Sequence, residues 1–160
     1  MFEFVKRTAI KTLVVTALWP DGSGKENERF RAAFSETIER LTPYVGKIVI
    51  LGQTPYLRDT VPRCIEMGNL DRCSVKREVV EKTSGAMSRF LSTLSQHQSN
   101  VEFVDLLDFF CSEVTCPAFK DDYPLYSDSN HVSSTAARHF SIEYIERQQK
   151  LRYRKASDRD

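Results

Sequence analysis

Three short apolar runs, each bounded by polar or turn-forming residues, divide the chain into alternating regions. They span residues 11–18, 47–52 and 101–106. The first two are nearly continuous runs of apolar and β-branched residues, a pattern typical of strands buried on both faces of a parallel sheet. The third is short and contains acidic residues, which predicts a more exposed strand.

The segments around these strands carry apolar residues at helical spacing. Helices are predicted at residues 2–10 (as the tail of a helix), 26–41, 75–97 and from about 136 to about 150. Either Ser133 or Ser134 is suited to cap the last of them. Alternating strands and helices predict an α/β fold in which a parallel sheet lies between helices as a three-layer α/β/α sandwich. In such sheets ligands bind at the carboxyl ends of the strands.

Composition limits the classes of function. The 160 residues, of which 41% are apolar, fit one domain, taken here as residues 1–150 and followed by a charged tail at 151–160. A formal net charge of +1 gives no field that would recruit nucleic acid. The sequence has no apolar run of about 18 residues, so no transmembrane segment is predicted. The N-terminal residues lack the basic-then-apolar order of a signal peptide.

The four cysteines form two close pairs in the sequence, Cys64 with Cys73 and Cys111 with Cys116. Their spacings do not match the tight Cys-x2-Cys pairs of zinc sites, and neither a metal nor a cofactor is predicted. Two local disulfides are one interpretation, and they would imply an oxidising compartment. Four buried thiols in a cytosolic protein are the other, because spacing alone does not fix connectivity.

An aspartate and a histidine lie three residues apart in the stretch that precedes the last predicted helix. In a tight turn Asp128 and His131 can lie side by side, with the carboxylate taking the Nδ1 proton and Nε2 left as a base. The alternative is structural: Asp128 opens a turn and His131 is an ordinary surface histidine.

This stretch resembles a known family. The order Asp-x-Asn-His-x-Ser, from Asp128 to Ser133, is similar to the last block of SGNH-type esterases and acyltransferases. With Tyr126 two residues before the aspartate and the Cys-x4-Cys loop upstream, it resembles the SGNH domain at the C-terminus of acyltransferase family 3 membrane proteins. The resemblance implies that His131 is the general base and Asp128 its orienter. It also favours the Cys64–Cys73 and Cys111–Cys116 disulfides.

Two further residues are candidates for substrate binding. Asn130 belongs to the block itself, and Trp19 follows the first strand where the resemblance implies an aromatic residue. Packing of Trp19 on the core is the alternative.

The serine nucleophile that the resemblance implies is missing. SGNH domains carry it in a Gly-Asp-Ser block after their first strand, and this sequence contains no such block and no Gly-x-Asn block near Trp19. Ser23 follows a strand, but in the register of the third strand, and its flanking glycines suit a turn equally well. The chain is therefore interpreted as strands three to five of the order 2-1-3-4-5, incomplete on its N-terminal side. Residues 11–18 are expected at an open edge of the sheet.

The resemblance implies O-acetyl transfer to a cell-surface glycan, outside the cytoplasm, with acyl groups delivered by a membrane acyltransferase domain. The chain would then be a truncated or split part of the enzyme and inactive alone. A carbohydrate esterase of the same clan is one alternative, and a non-catalytic remnant or glycan-binding module is another.

Overall fold

The computed structural model of the chain describes residues 2–20 and 24–157, with side chains as far as residue 150. It divides into two units, each described separately below. The sheet unit comprises Met1–Pro55 and Lys76–Val114, and the loop unit comprises Tyr56–Val75 and Thr115–Asp160.

The secondary structure follows the predicted alternation. The helices are α1 (Phe2–Arg7), α2 (Lys25–Leu41), α3 (Val61–Glu66), α4 (Arg77–Gln96), α5 (Leu107–Phe110) and α6 (Ser134–Ser157). The strands are β1 (Ile10–Val15), β2 (Val45–Leu51), β3 (Val75–Lys76), β4 (Val101–Val104), β5 (Thr115–Cys116), β6 (Phe119–Lys120) and β7 (Tyr123–Pro124). Short 3-10 turns lie at Thr42–Tyr44 and Leu70–Cys73.

In the sheet unit, β1, β2 and β4 form a parallel sheet in the order β1-β2-β4. Val14 of β1 lies opposite Val49 of β2, and Ile50 of β2 lies opposite Phe103 of β4. The three predicted strands are present, and the sheet is flanked by helices. The predicted α/β class is confirmed, and the arrangement is consistent with an SGNH or flavodoxin-like fold.

One apolar core joins the helices of this unit to the sheet. It comprises Val5, Trp19, Ile38, Leu41, Val45, Ile48, Ile50, Met87, Leu91, Leu94 and Val101. Because residues two apart in a strand share a face, Ile48 and Ile50 place one face of β2 against α2 and α4. Burial of these side chains is the main source of stability for the unit.

β1 lies at an edge of the sheet. It pairs with β2, and within residues 2–20 and 24–157 no other strand pairs with it. Val14, near the carboxyl end of the strand, is 56% exposed. The expectation of an open edge at this strand is confirmed.

In the loop unit, α3 lies within the long loop that follows β2 in the sequence. Cys64 and Cys73 form a disulfide with their Cα atoms 6.2 Å apart. Cys111 of the sheet unit and Cys116 of the loop unit are each disulfide-bonded as well, and none of the four cysteines, all of them described, is free. Both predicted pairs are confirmed, while the oxidising compartment stays a prediction.

Two features differ from the sequence predictions. The stretch before Asn130, for which no strand or helix is predicted, contains an antiparallel hairpin, in which Phe119 of β6 lies opposite Pro124 of β7. The last helix continues to Ser157 rather than ending near residue 150. Residues 158–160 of the predicted tail lie outside the described residues.

Candidate functional site

The candidate site is a tight turn between the β6–β7 hairpin and α6. Tyr126 and Val132 form an isolated antiparallel bridge that brings the two ends of the turn together. Within it, the backbone N–H of Ser127 donates to the carbonyl oxygen of His131 at 2.8 Å, and the Ser127 hydroxyl donates to the same oxygen at 3.2 Å. These bonds fix the backbone that carries Asp128 and His131.

The Asp128 carboxylate is held by three hydrogen bonds inside this turn. Its Oδ1 accepts from the backbone N–H groups of Asn130, at 2.9 Å, and His131, at 2.8 Å. Its Oδ2 lies 2.6 Å from the Nδ1 atom of the His131 ring. The contact predicted between the carboxylate and the ring is present, because a short polar side chain that bonds its own backbone two and three residues ahead closes a turn of this kind.

The same bonds lower the pKa of Asp128. The N–H of Asn130, the N–H of His131 and the His131 ring hold the pKa of the carboxyl at about 2, below its ordinary value of 3.8. The group is therefore ionised at neutral pH. An ionised carboxylate only accepts hydrogen bonds, so Nδ1 carries the hydrogen in this contact and Nε2 is left as the basic nitrogen. The His131 side chain is 75% exposed, which gives a reacting group access to it.

Ser133 fixes the end of the turn to the start of α6. Its hydroxyl oxygen accepts from the backbone N–H of Ala136 at 3.0 Å, as the N-cap of a helix does, and donates to the carbonyl oxygen of Pro124 at 2.6 Å. The predicted helix cap is therefore Ser133. Beneath it, Leu125, Tyr126 and Ala136 are almost completely buried, so the exposed pair stands on a packed base.

Further backbone contacts reach the turn from the loop that contains α3. The N–H of Leu57 donates to the carbonyl oxygen of Ser129 at 2.8 Å, and the N–H of Val61 donates to that of Asp128 at 3.4 Å. The sequence gives no signal for these contacts, because backbone groups of any residue make them and the partners lie about seventy positions apart.

Comparison with known families identifies the family of this chain. A family model described as "SGNH domain (fused to AT3 domains)" matches residues 1–145. The chain belongs to this SGNH family. No curated protein and no solved structure matches it.

Membership in the SGNH family indicates acyl transfer or ester hydrolysis. Fusion to AT3 domains in the family points to a membrane acyltransferase domain as partner and to a place outside the cytoplasm. None of the helices in the part of the chain that is described is long and apolar enough to cross a membrane. Nor do the described His, Cys, Asp and Glu residues form a group of three or more that could hold a metal ion.

Trp19, a candidate for substrate binding, lies in the core of the sheet unit. Its ring is 5% exposed and packs edge-on against Phe30 and Phe34 at 6.2 and 5.2 Å between centroids. Its Nε1 donates to the carbonyl oxygen of Leu51 at 2.8 Å, and its backbone N–H donates to Gln53 Oε1 at 3.0 Å. The structure thus shows the packing role that the sequence allowed, and a role in substrate binding stays a prediction.

Asn130 is half-buried, and its backbone N–H holds Asp128 Oδ1. What the structure shows of this residue is support for the carboxylate; substrate binding by its side chain stays a prediction. Ser23, the weak nucleophile candidate, lies outside the described residues. The site as described therefore brings the Asp128 carboxylate and the His131 ring together, and the sequence has no Gly-Asp-Ser block.

Proposed function

We propose that this chain supplies the general base and its orienter to an SGNH acyl-transfer site that moves an O-acyl group, in particular acetyl, to a hydroxyl of a cell-surface glycan. The observation that carries the proposal is the pair itself. Asp128 Oδ2 lies 2.6 Å from His131 Nδ1, while Oδ1 is held by two backbone N–H groups. The two backbone bonds fix the carboxylate, and the fixed carboxylate orients the ring as a base requires.

The mechanism follows from this geometry. His131 Nε2 takes the proton of a serine hydroxyl as the serine oxygen attacks the acyl carbonyl carbon. Collapse of the tetrahedral intermediate breaks the bond to the donor oxygen, and the imidazolium returns the proton to that leaving group. A glycan hydroxyl then repeats the sequence on the acyl-serine, with His131 again as base. Asp128 stays ionised throughout and stabilises the imidazolium.

In this proposal the serine comes from a segment outside these 160 residues. The absence of a Gly-Asp-Ser block supports it, and so does the open edge of β1, because a parallel strand that pairs there would complete the sheet. The acyl donor is delivered by a membrane acyltransferase domain, as the fusion to AT3 domains in the family implies.

The absence of that block also favours a second candidate, a non-catalytic glycan-binding module that keeps the fold. The two candidates differ in whether His131 is needed for chemistry.

The test compares surface glycans from cells that make the protein together with its membrane acyltransferase domain. O-acetyl groups on the glycan are measured by NMR for the wild type, His131→Gln and His139→Gln. His139 is the matched control, since it is a histidine of the same unit that stacks on Tyr123 at 4.5 Å. We expect acetylation to be lost with His131→Gln and kept with His139→Gln. Acetylation kept in both variants would support the non-catalytic module instead, and release of free acetate from an already acetylated glycan would indicate an esterase.

A further inference from the structure

We infer that residues 56–73, a loop that contains the Cys64–Cys73 disulfide, position the Asp128–His131 pair through the backbone N–H groups of Leu57 and Val61. The effect of this loop on turnover rests on the proposed function, whereas the positioning itself is a structural claim that can be measured without any activity.

The contacts fall on the two residues at the centre of the turn. Val61 N–H donates to the carbonyl oxygen of Asp128, the residue whose side chain orients the histidine. Leu57 N–H donates to the carbonyl oxygen of Ser129, the next residue. Leu57 and Val61 are 6% and 3% exposed, so both donors are fixed by buried side chains and little water competes for the two carbonyl groups.

The position of the Val61 N–H group depends on a short helix. Val61 begins α3, which has six residues, too few for a helix to persist without other support. The disulfide gives that support, because it joins Cys64 within α3 to Cys73 at the end of the 3-10 turn, and both cysteines are completely buried. Cys73 Sγ also lies 3.4 Å from the carbonyl oxygen of Thr60, the residue just before α3.

Charged side chains add less to the same loop. The Asp59 carboxylate lies 3.6 Å from Arg63 Nε and 3.7 Å from Arg72 Nε, and it accepts from the N–H of Thr60 at 2.9 Å. Both arginine side chains are more than half exposed, and ion pairs of exposed side chains contribute little. The disulfide is therefore the main covalent restraint on the position of Val61.

Loss of the Val61 contact has a specific expected effect. The turn widens, and Asp128 Oδ1 no longer lies in line with the N–H groups of Asn130 and His131. Those two bonds are the largest causes of the lowered pKa of Asp128, so the pKa rises toward 3.8.

The experiment measures the pKa of the Asp128 carboxyl by carbon-13 NMR in a matched pair of variants of the full chain. Val61→Pro removes the N–H donor at the first residue of α3, a position that tolerates proline. Thr60 before it has φ −78° and ψ 143°, a conformation that suits a residue preceding proline. Val61→Ala keeps the donor and removes more of the buried side chain. We expect the pKa to rise by about one unit with Val61→Pro and to stay near the wild-type value with Val61→Ala.

A second pair tests the disulfide. Cys64→Ala with Cys73→Ala is expected to raise the pKa of Asp128, and Cys111→Ala with Cys116→Ala, which removes the other bridge, is expected to leave it unchanged. If the first double variant does not fold, the two Val61 variants alone test the inference. Equal values in both Val61 variants, or equal shifts on loss of either bridge, would overturn the inference. The proposed function fails on a different result, namely retained glycan acetylation in His131→Gln.

Discussion

At the residue scale, Asp128 performs a structural and a chemical task with one side chain. Its Oδ1 closes the turn on two backbone N–H groups, and its Oδ2 holds the ring of His131. The bonds that shape the backbone are also those that keep the carboxylate ionised, because each of them is stronger to the charged form than to the neutral one. The fixed negative charge then determines which ring nitrogen of His131 is basic.

This coupling predicts how acid affects the fold. The pKa of Asp128 is lowered in the folded chain to about 2 from 3.8, so its contribution to the free energy of unfolding is complete above pH 4 and is lost as the pH falls through 2. Denaturant unfolding of the wild type and of Asp128→Asn, followed over this range, measures it. We expect the wild type to be the more stable above pH 4 and the difference to shrink in acid. Asp122→Asn, at an exposed aspartate of the same unit, is the control and should show no such trend. A difference that grows as the pH falls would contradict the interpretation of Asp128.

The Asp128–His131 pair could be predicted from the sequence, whereas the hydrogen bonds that hold its turn in place could be predicted only in part. An aspartate followed three residues later by a histidine, just before a capped helix, predicts side chains that meet, since the interaction is local. The bond from Ser133 to Pro124 and the contacts from Leu57 and Val61 join positions that only the folded chain brings together. The role of Trp19 could not be predicted from the sequence, because an aromatic residue after a strand is suited equally to the wall of a binding site and to the core.

At the scale of elements, the long helices and the sheet strands were predictable because apolar spacing alone identifies them. The β6–β7 hairpin was not, since its two-residue turn at Asp121 and Asp122 lacks the glycine that usually marks such turns, and Asp121 adopts a φ of 54° instead. The sequence predicts an end of α6 near residue 150, because the charged residues that follow resemble a tail. That segment contains no glycine or proline, and its lysines and arginines are good helix formers.

The close approach of β1 and β2 depends on one glycine. A Cβ atom at Gly46 would lie 2.7 Å from the carbonyl oxygen of Lys11, which is a backbone atom and cannot rotate away. We expect Gly46→Ala to lower the free energy of unfolding by about 1–3 kcal/mol, as overpacking does. Gly85→Ala is the matched control within α4, where the nearest atom is the mobile end of Arg89 at 3.3 Å.

In the control, alanine should raise the free energy of unfolding by about 0.5–1 kcal/mol, because it favours a helix interior over glycine. Urea unfolding of the two variants beside the wild type gives both values. A stable Gly46→Ala variant would show that the two strands do not approach as closely as described.

At the scale of the whole molecule, the sheet ends at a strand whose composition suits an interior position. Val14 in β1 is 56% exposed, and Leu18, just beyond the end of the strand, is 70% exposed. An apolar strand with one free edge pairs readily with other strands. In the proposed function a further strand, which carries the missing Gly-Asp-Ser block, occupies this edge.

We therefore expect the 160-residue chain alone to associate through β1 or to be poorly soluble. A polypeptide in which the proposed further strand is supplied should be monomeric. Sedimentation velocity of both proteins tests this, with Val14→Lys as a variant of the short chain in which a charge at the edge reduces association. A short chain that is soluble, monomeric and cooperative in unfolding would count against a missing strand.

The most direct test of the proposed function is to identify the serine that His131 activates in the proposal. The chain, made together with the membrane acyltransferase domain and the nucleophile segment that the proposal requires, is treated with a fluorophosphonate probe, and the labelled peptide is identified by mass spectrometry in the wild type and in His131→Gln. We expect one labelled serine outside these 160 residues, labelling that is lost with His131→Gln, and no labelling of the 160-residue chain alone. A label on Ser23 or any other serine of this chain, or labelling that persists without His131, would contradict the proposal.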